Sequence, residues 1–263
     1  MKNFRVTEYE LNAQRHVLPL YMKDGNDGYL FSSTMTLVRF MDQPFCIFAS
    51  HALPRSGDAL AQIGLLTTDG GFLPISEIEV AHKICRDRDL VAVKTINYID
   101  YKHYFNLDSL GSTTDFSENF GWIGFPKKKA VQAINKSKAS SEKIKEYLTE
   151  GTDGLKKWNN ANFLLIGVKQ LSESEIEITG TFDNTNVEYE HEGFKETGYS
   201  LKGMSGGALF RGPMKINTDS PDLEDFYDFA GIGLEYTNNI VKGASKYAVK
   251  QLLSEVLAQP VGS

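Results

Sequence analysis

Short apolar runs recur along the chain at the spacing of strands. In YLFSSTMTLVRF (29–40) apolar and polar residues alternate, and after three residues PFCIFAS (44–50) follows, which predicts a β-hairpin. IGLLTTDGGFLPI (63–75) sets Asp69-Gly70 between two apolar runs and predicts a second hairpin. DLVAVKTI (89–96) reads as another strand, and FGWIGFP (120–126) as one that Pro126 stops. Strand texture returns in NFLLIGVKQL (162–171) and EIEITGTF (175–182), then in SGGALF (205–210) and FAGIGLEY (229–236).

Two stretches carry a helical period instead. KKKAVQAINKSKASSEKIKEYL (127–148) spaces Val131, Ile134, Ile144 and Leu148 between Lys-rich faces, predicting a helical insertion over about 127–150. ASKYAVKQLLSEVLA (244–258) predicts a closing helix capped by Ser245, with Tyr247, Ala248, Leu252 and Val256 on its apolar face. Short, closely spaced strands with a terminal helix imply a mostly β chain built as a barrel or a pair of barrels. The polar stretch SLGSTTDFSE (109–118) is the expected divide, giving units of 1–115 and 116–263.

Composition narrows the class without naming a chemistry. With 263 residues, 41% hydrophobic and 24% charged, the chain is globular and long enough for one large domain or two small ones. A net charge of −6 gives no support to nucleic-acid binding. No apolar run approaches the roughly 18 residues of a membrane helix, and MKNFRVTEYELNAQ is too polar for a secretory signal core. Only Cys46 and Cys85 occur, which fits a reducing compartment, so a cytoplasmic protein without a membrane partner is expected.

The stretch GMSGGALF (203–210) surrounds Ser205 with Gly203, Gly206 and Gly207, residues that allow a sharp turn or the close approach of another molecule. A serine hydroxyl becomes a nucleophile only beside a base, usually a histidine oriented by a carboxylate. His51 directly follows an apolar strand in CIFASHAL, and Asp89 opens the apolar DLVAVK; Asp87 competes for the same place but does not abut the run. Taken singly, these read as a Gly-rich turn, a half-buried surface histidine and a strand-opening aspartate. Their order along the chain, His, Asp, Ser, is what joins them.

In that order, ASHAL, DLVAV and GMSGGALF resemble the histidine, aspartate and serine motifs of the chymotrypsin-like (trypsin-fold) serine peptidases, and FAGIGLEY is similar to the strand that runs beside bound substrate in that family. The resemblance implies two six-stranded antiparallel β-barrels with the site between them. It makes His51, Asp89 and Ser205 the triad of a serine endopeptidase, with the Gly203 and Ser205 amides facing the oxyanion. Tyr199, Leu234, Glu235 and Tyr236 would then contact a protein or peptide substrate, and no cofactor is implied. Two departures stand out. Met204 occupies the place of an aspartate that in many secreted members pairs with a newly cut N-terminus, which argues against activation by such cleavage. Tyr199 stands where digestive members carry an acid, and only Thr-Asn-Asn (237–239) links FAGIGLEY to IVKG, so a shallow pocket is expected that takes small or medium apolar residues rather than Lys or Arg.

Other candidates have plainer readings. His82 and Cys85 form an H-x-x-C without a second spaced pair, so no metal site is expected. The Lys-rich insertion is a solvated face by default; its position after GWIGFP also suits a lid or a docking element for a regulatory protein partner. The acidic DSPDLEDFYD (219–228) reads as a solvated loop. The rival from another class is a catalytically silent scaffold that binds a protein partner. An esterase on a different fold would carry its serine, as G-x-S-x-G, on a strand-to-helix turn with the histidine after it; here the histidine comes first and strand texture follows Ser205.

Overall fold

The computed structural model describes residues 12–23, 29–55, 57–67, 71–100, 102–108, 115–127, 148–150, 156–158, 163–186, 188–191, 194–197, 200–214 and 226–259. The first strands are β1 (Val17–Lys23), β2 (Tyr29–Phe40), β3 (Gln43–Ala49), β4 (Ile63–Leu66), β5 (Phe72–Pro74), β6 (Glu79–Cys85), β7 (Leu90–Thr95) and β8 (Phe105–Asn106). There follow β9 (Phe120–Gly124), β10 (Leu148–Glu150), β11 (Lys156–Trp158), β12 (Leu164–Glu173), β13 (Glu177–Thr181), β14 (Glu188–His191) and β15 (Phe194–Thr197). The last three, β16 (Gly207–Arg211), β17 (Asp228–Thr237) and β18 (Ile240–Ser245), lead into the C-terminal helix Lys246–Leu257.

These strands make a mostly β protein with two main assemblies. An antiparallel sheet runs β5-β4-β1-β2-β3-β7-β6, with β8 added parallel to β2, and β12-β13-β18-β17-β16-β9 close into an antiparallel barrel. The hairpins expected at 29–50 and 63–75 are β2–β3 and β4–β5, although the Asp69-Gly70 turn itself lies outside the described residues. Of the two six-stranded barrels expected, the second is present as a closed barrel. The first half is instead an eight-stranded sheet whose end strands, β5 and β6, do not pair among the described residues. They are consecutive in the chain and joined by the helical turn Ile75–Ile78, whose buried Ile75 packs into the sheet's own core.

The core divides into three parts, which explains why the central strands are apolar on both faces. Met35, Leu37, Cys46, Phe48, Val91 and Val93 line the interior of the sheet. Trp122, Ile166, Val168, Ile178, Met204 and Leu209 fill the barrel. Between them, Phe45, Ile47, Leu90 and Ala92 of the sheet pack in one cluster with Ile123, Phe210, Phe229 and Ile232 of the barrel and with Leu252, Leu253 and Val256 of the helix. At about 1.5–3 kcal/mol for each large side chain removed from water, this middle cluster makes the junction of sheet and barrel a principal source of stability.

Some sequence expectations change on inspection. The helical insertion over 127–150 lies outside the described residues except at its ends, and Leu148 belongs to a strand, β10, paired antiparallel with β11, so it does not continue a helical stripe. The C-terminal helix forms as expected, with Ser245 Oγ accepting from the Ala248 amide at 3.3 Å. Tyr247, however, is 57% exposed, because the buried face is Ala248, Val249, Leu252, Leu253 and Val256 and Tyr247 falls to one side of it. Among the described residues no helix is long and apolar enough to cross a membrane.

Candidate active site

His51 sits where β3 ends. The strand stops at Ala49 and passes into a short 3-10 turn, Ser50–Ala52, while the β3–β7 ladder pairs Ala49 with Leu90 and so brings the residue before Leu90 alongside. That residue is Asp89, last in the turn joining β6 to β7, with a left-handed φ of 52° that aspartate tolerates better than most side chains. Its backbone carbonyl accepts from the Ser50 amide at 3.0 Å, extending the ladder by one bond. Its carboxylate is held three times: by the His51 ring at 2.6 Å from Nδ1, by the His51 amide at 2.9 Å and by Ser50 Oγ at 2.8 Å. Asp87, the competing aspartate, has no such contact with His51.

The electrostatics follow from this geometry. The bond to Asp89 raises the His51 pKa above its ordinary value, and partial burial opposes the rise without cancelling it. Burial pulls the Asp89 pKa upward, but the bonds from His51 and Ser50 outweigh it and hold the carboxyl below its ordinary value. The result is an ionised carboxylate fixing one nitrogen of an imidazole whose other nitrogen, Nε2, is left to act. The ring is half exposed, so a substrate can reach it.

Ser205 comes from the barrel, on the turn that leads into β16. Gly203 and Gly206 have φ of +99° and +85°, in the left-handed region. A methyl group at 206 would lie 2.1 Å from the Thr34 carbonyl oxygen, and one at 203 would meet Phe31 and the Phe125 carbonyl. The reason for Gly203 is therefore partly structural: the turn is pressed against the sheet. β2 grips it from the other side. Ser33 Oγ and the Thr34 amide both donate to the Ser205 carbonyl, each at 3.0 Å, Thr34 Oγ1 donates to the Gly203 carbonyl at 2.9 Å, and Thr36 Oγ1 to that of Gly206 at 2.7 Å.

The turn's amides divide into two sets. Those of Met204, Gly206 and Gly207 donate to the carbonyls of Leu201, Gly233 and Met204. Those of Gly203 and Ser205 have no acceptor among the described residues. The carbonyls preceding them are engaged on the far side, Lys202 with the Lys127 amide at 2.6 Å and Met204 with the Gly207 amide at 2.9 Å. In a trans peptide N–H and C=O point oppositely, so both free N–H groups face away from those partners. Met204 itself is fully buried in the barrel core, where its thioether packs and where a carboxylate would be stranded.

His51 and Ser205 line one cleft of about 500 Å³, together with Trp122, Ser200, Lys202, Leu234, Glu235 and Tyr236. The Ser205 hydroxyl does not bond His51 here; it donates to the Leu234 carbonyl at 2.7 Å. That carbonyl is available because Leu234 is the extra residue of a bulge in β17 opposite β18, between the pairs Gly233–Gly243 and Glu235–Lys242. Of the expected substrate contacts, Leu234, Glu235 and Tyr236 do line the cleft, and Tyr199 lies outside the described residues. The Glu235 carboxylate accepts from Thr237 Oγ1 at 2.8 Å, and Tyr236 OH donates to the Phe182 carbonyl or Asn239 Oδ1, at 3.0 and 2.8 Å.

Sequence reasoning missed Ser50, Trp122, Ser200 and the β2 hydroxyls. The run Ser33-Thr34 and Thr36 inside an otherwise apolar strand was the available signal for the last. The two cysteines are free; Cys46 is buried, which pushes its thiol up to about 12, and the His82 ring is bonded to Glu79. Among the described residues no three metal-ligating side chains gather.

No family model matches this chain, and no curated protein matches it. One similar solved structure is the Rv3671c protease from M. tuberculosis in its active form, 11% identical over 96% of this chain and 86% of that one, with a TM-score of 0.47. A likeness at that level carries no chemistry across, and the functional reading stands on the geometry above.

Proposed function

We propose that the protein is a serine endopeptidase, with sheet and barrel playing the parts of the two barrels of a chymotrypsin-like enzyme. The observation that carries the reading is the meeting of His51 and Ser205 on one cleft with the Asp89 carboxylate 2.6 Å from His51 Nδ1. In the reaction the Ser205 hydroxyl turns from the Leu234 carbonyl, a single χ1 step between staggered positions, and gives its proton to His51 Nε2 as Oγ attacks the scissile carbonyl carbon. The free Gly203 and Ser205 amides donate to the developing oxyanion. His51 returns the proton to the leaving amine, and water then repeats the sequence on the acyl-enzyme, regenerating Ser205. Asp89 keeps the imidazole in the required tautomer and balances its positive charge. Leu234, Glu235 and Tyr236 lie along the peptide.

A fluorophosphonate probe tests this directly: the protein should label on Ser205, and Ser205→Ala and His51→Ala should each abolish labelling. A second reading, a silent binding scaffold, is favoured by the Ser205 hydroxyl resting on Leu234 rather than on His51. A scaffold would not label while remaining folded.

A further inference from the structure

Lys202 lines the cleft that holds Ser205 and His51, next in the chain to the free Gly203 amide. The residue is exposed, and its ammonium has no hydrogen bond or ion pair among the described residues. Its backbone is fixed all the same: the Lys202 carbonyl accepts from the Lys127 amide at 2.6 Å, and the left-handed Gly203 follows. That bond sets a second exposed lysine, Lys127, beside it, also without an ion pair among the described residues. The carboxylate of the lining, Glu235, is differently placed. It accepts from Thr237 Oγ1, and across the β17–β18 ladder its neighbour on the same face is Lys242. The negative charge of the lining is thus answered within the fold, and the positive one is not.

We infer that Lys202 is the specificity-determining cation of the cleft, and that it selects a glutamate or aspartate as the residue before the scissile bond. This rests on the peptidase reading and deepens it by naming the side chain selected. A lysine's four-carbon stem is flexible, so an ammonium that starts from the wall and is held by nothing else can meet a carboxylate seated in a cleft of about 500 Å³. Ser200, in the same lining, has a hydroxyl that can donate to the carboxylate's second oxygen. In open solvent such a pair is worth little, but the peptide that brings the carboxylate also covers the cleft, and the loss of water strengthens the attraction. A glutamine offers Lys202 only a neutral acceptor, and a lysine or arginine would set two cations in one cleft. The small or medium apolar residue expected from sequence is thereby replaced, while the expected exclusion of Lys and Arg gains a cause.

The experiment pairs hydrolysis with a binding measurement that does not need it. Peptides differing only in Glu, Gln, Met or Lys before the cleaved bond are compared by kcat/KM on the wild-type protein, Lys202→Gln and Lys202→Glu. The Glu-over-Gln ratio is taken within each protein, so that any general loss of activity cancels. In parallel, product-like peptides ending in Glu or Gln are titrated by calorimetry into Ser205→Ala, with and without Lys202→Gln, at low and at high salt. The expected Glu-over-Gln ratio is about fivefold or more in the wild type, the worth of one partly screened ion pair. It should be near one in Lys202→Gln and below one in Lys202→Glu. The Glu peptide should bind Ser205→Ala more tightly than the Gln peptide, by a margin that high salt narrows and Lys202→Gln removes. Equal rates for Glu and Gln, a Glu preference that survives Lys202→Gln, a preference for Lys or Met, or equal binding of the two product peptides would each overturn the inference. If the protein neither cleaves nor labels, the peptidase reading falls, and the calorimetry still decides the role of Lys202. If it labels on Ser205 and cleaves without preferring an acid, the peptidase reading survives and this inference does not.

Discussion

Asp89 makes three bonds with one carboxylate, and each constrains a different thing: the His51 ring, the backbone that carries it, and the turn through Ser50. Replacing it with Asn should permit the wrong imidazole tautomer and lower kcat by about 10⁴, with the fold retained. Because the Asp89 bond raises the His51 pKa, and in the proposed reaction it is neutral His51 that accepts the serine proton, kcat/KM should rise with pH through an apparent pKa above the ordinary histidine value. In Asp89→Asn the residual activity should titrate at lower pH. A pH profile of peptide hydrolysis on both proteins checks this, and an unchanged midpoint would argue that Asp89 does not set the basicity of His51. Gly206 is equally specific: with φ at +85° and the Thr34 oxygen where a methyl would go, Gly206→Ala should cost about 3 kcal/mol or more and be read as a lowered urea midpoint. His51, Asp89 and the glycines were legible in sequence because motif order carries them. Lys202 was not, since nothing local distinguishes a lysine that lines a cleft from one on a solvated face.

Among the elements, the C-terminal helix depends on a cap that does two jobs. Ser245 Oγ accepts from the Ala248 amide and donates to the Glu175 carbonyl at 2.8 Å, so it joins the helix start to the β12–β13 connection. Ser245→Ala should cost about 1–2 kcal/mol, visible as a lowered thermal midpoint, with peptide kinetics unchanged. The hairpin between β17 and β18 turns on Asn238 and Asn239, both left-handed at φ 52° and 62°, the pair that a two-residue turn of this hand requires. Thr-Asn-Asn already announced that turn in the sequence. The strands that escaped notice did so for physical reasons. EVAHKIC, now β6, is an end strand, partly exposed along its length, so no clean alternation marks it. β2 was found by its alternation, which says nothing of where its polar side chains go. The Ser33, Thr34 and Thr36 hydroxyls are buried and spent on the serine turn, a long-range use that local pattern does not reveal.

For the whole molecule, acid is the weak point. His16 is buried against Phe105 and Tyr227, with His103 and Lys102 nearby, and burial first, then the charge of His103, lowers its pKa to about 3. An unfolded histidine binds its proton near pH 6.5, so between that pH and about 3 the unfolded chain holds more protons than the folded one. Stability should therefore be lost as pH falls below about 6.5, by up to about 1.4 kcal/mol per unit, and His16→Phe should flatten urea midpoints measured across this range. Restraint of activity is proposed to reside in the segment after Lys127: replacing 128–156 with a Gly-Ser linker should leave a folded protein with altered peptide kinetics, whereas unchanged kinetics and partner binding would make that segment passive. The grip of Ser33, Thr34 and Thr36 on the serine turn has a consequence in time. His51 is set by local strand pairing within the sheet, but the Ser205 turn takes its shape only when the barrel has docked against β2. During refolding, circular dichroism and even the burial of Trp122 should recover before probe labelling does. A chain with its secondary structure complete should remain unlabelled until those three hydroxyls close, so the Ser205 turn should be the last part of the molecule to form and the first to be lost.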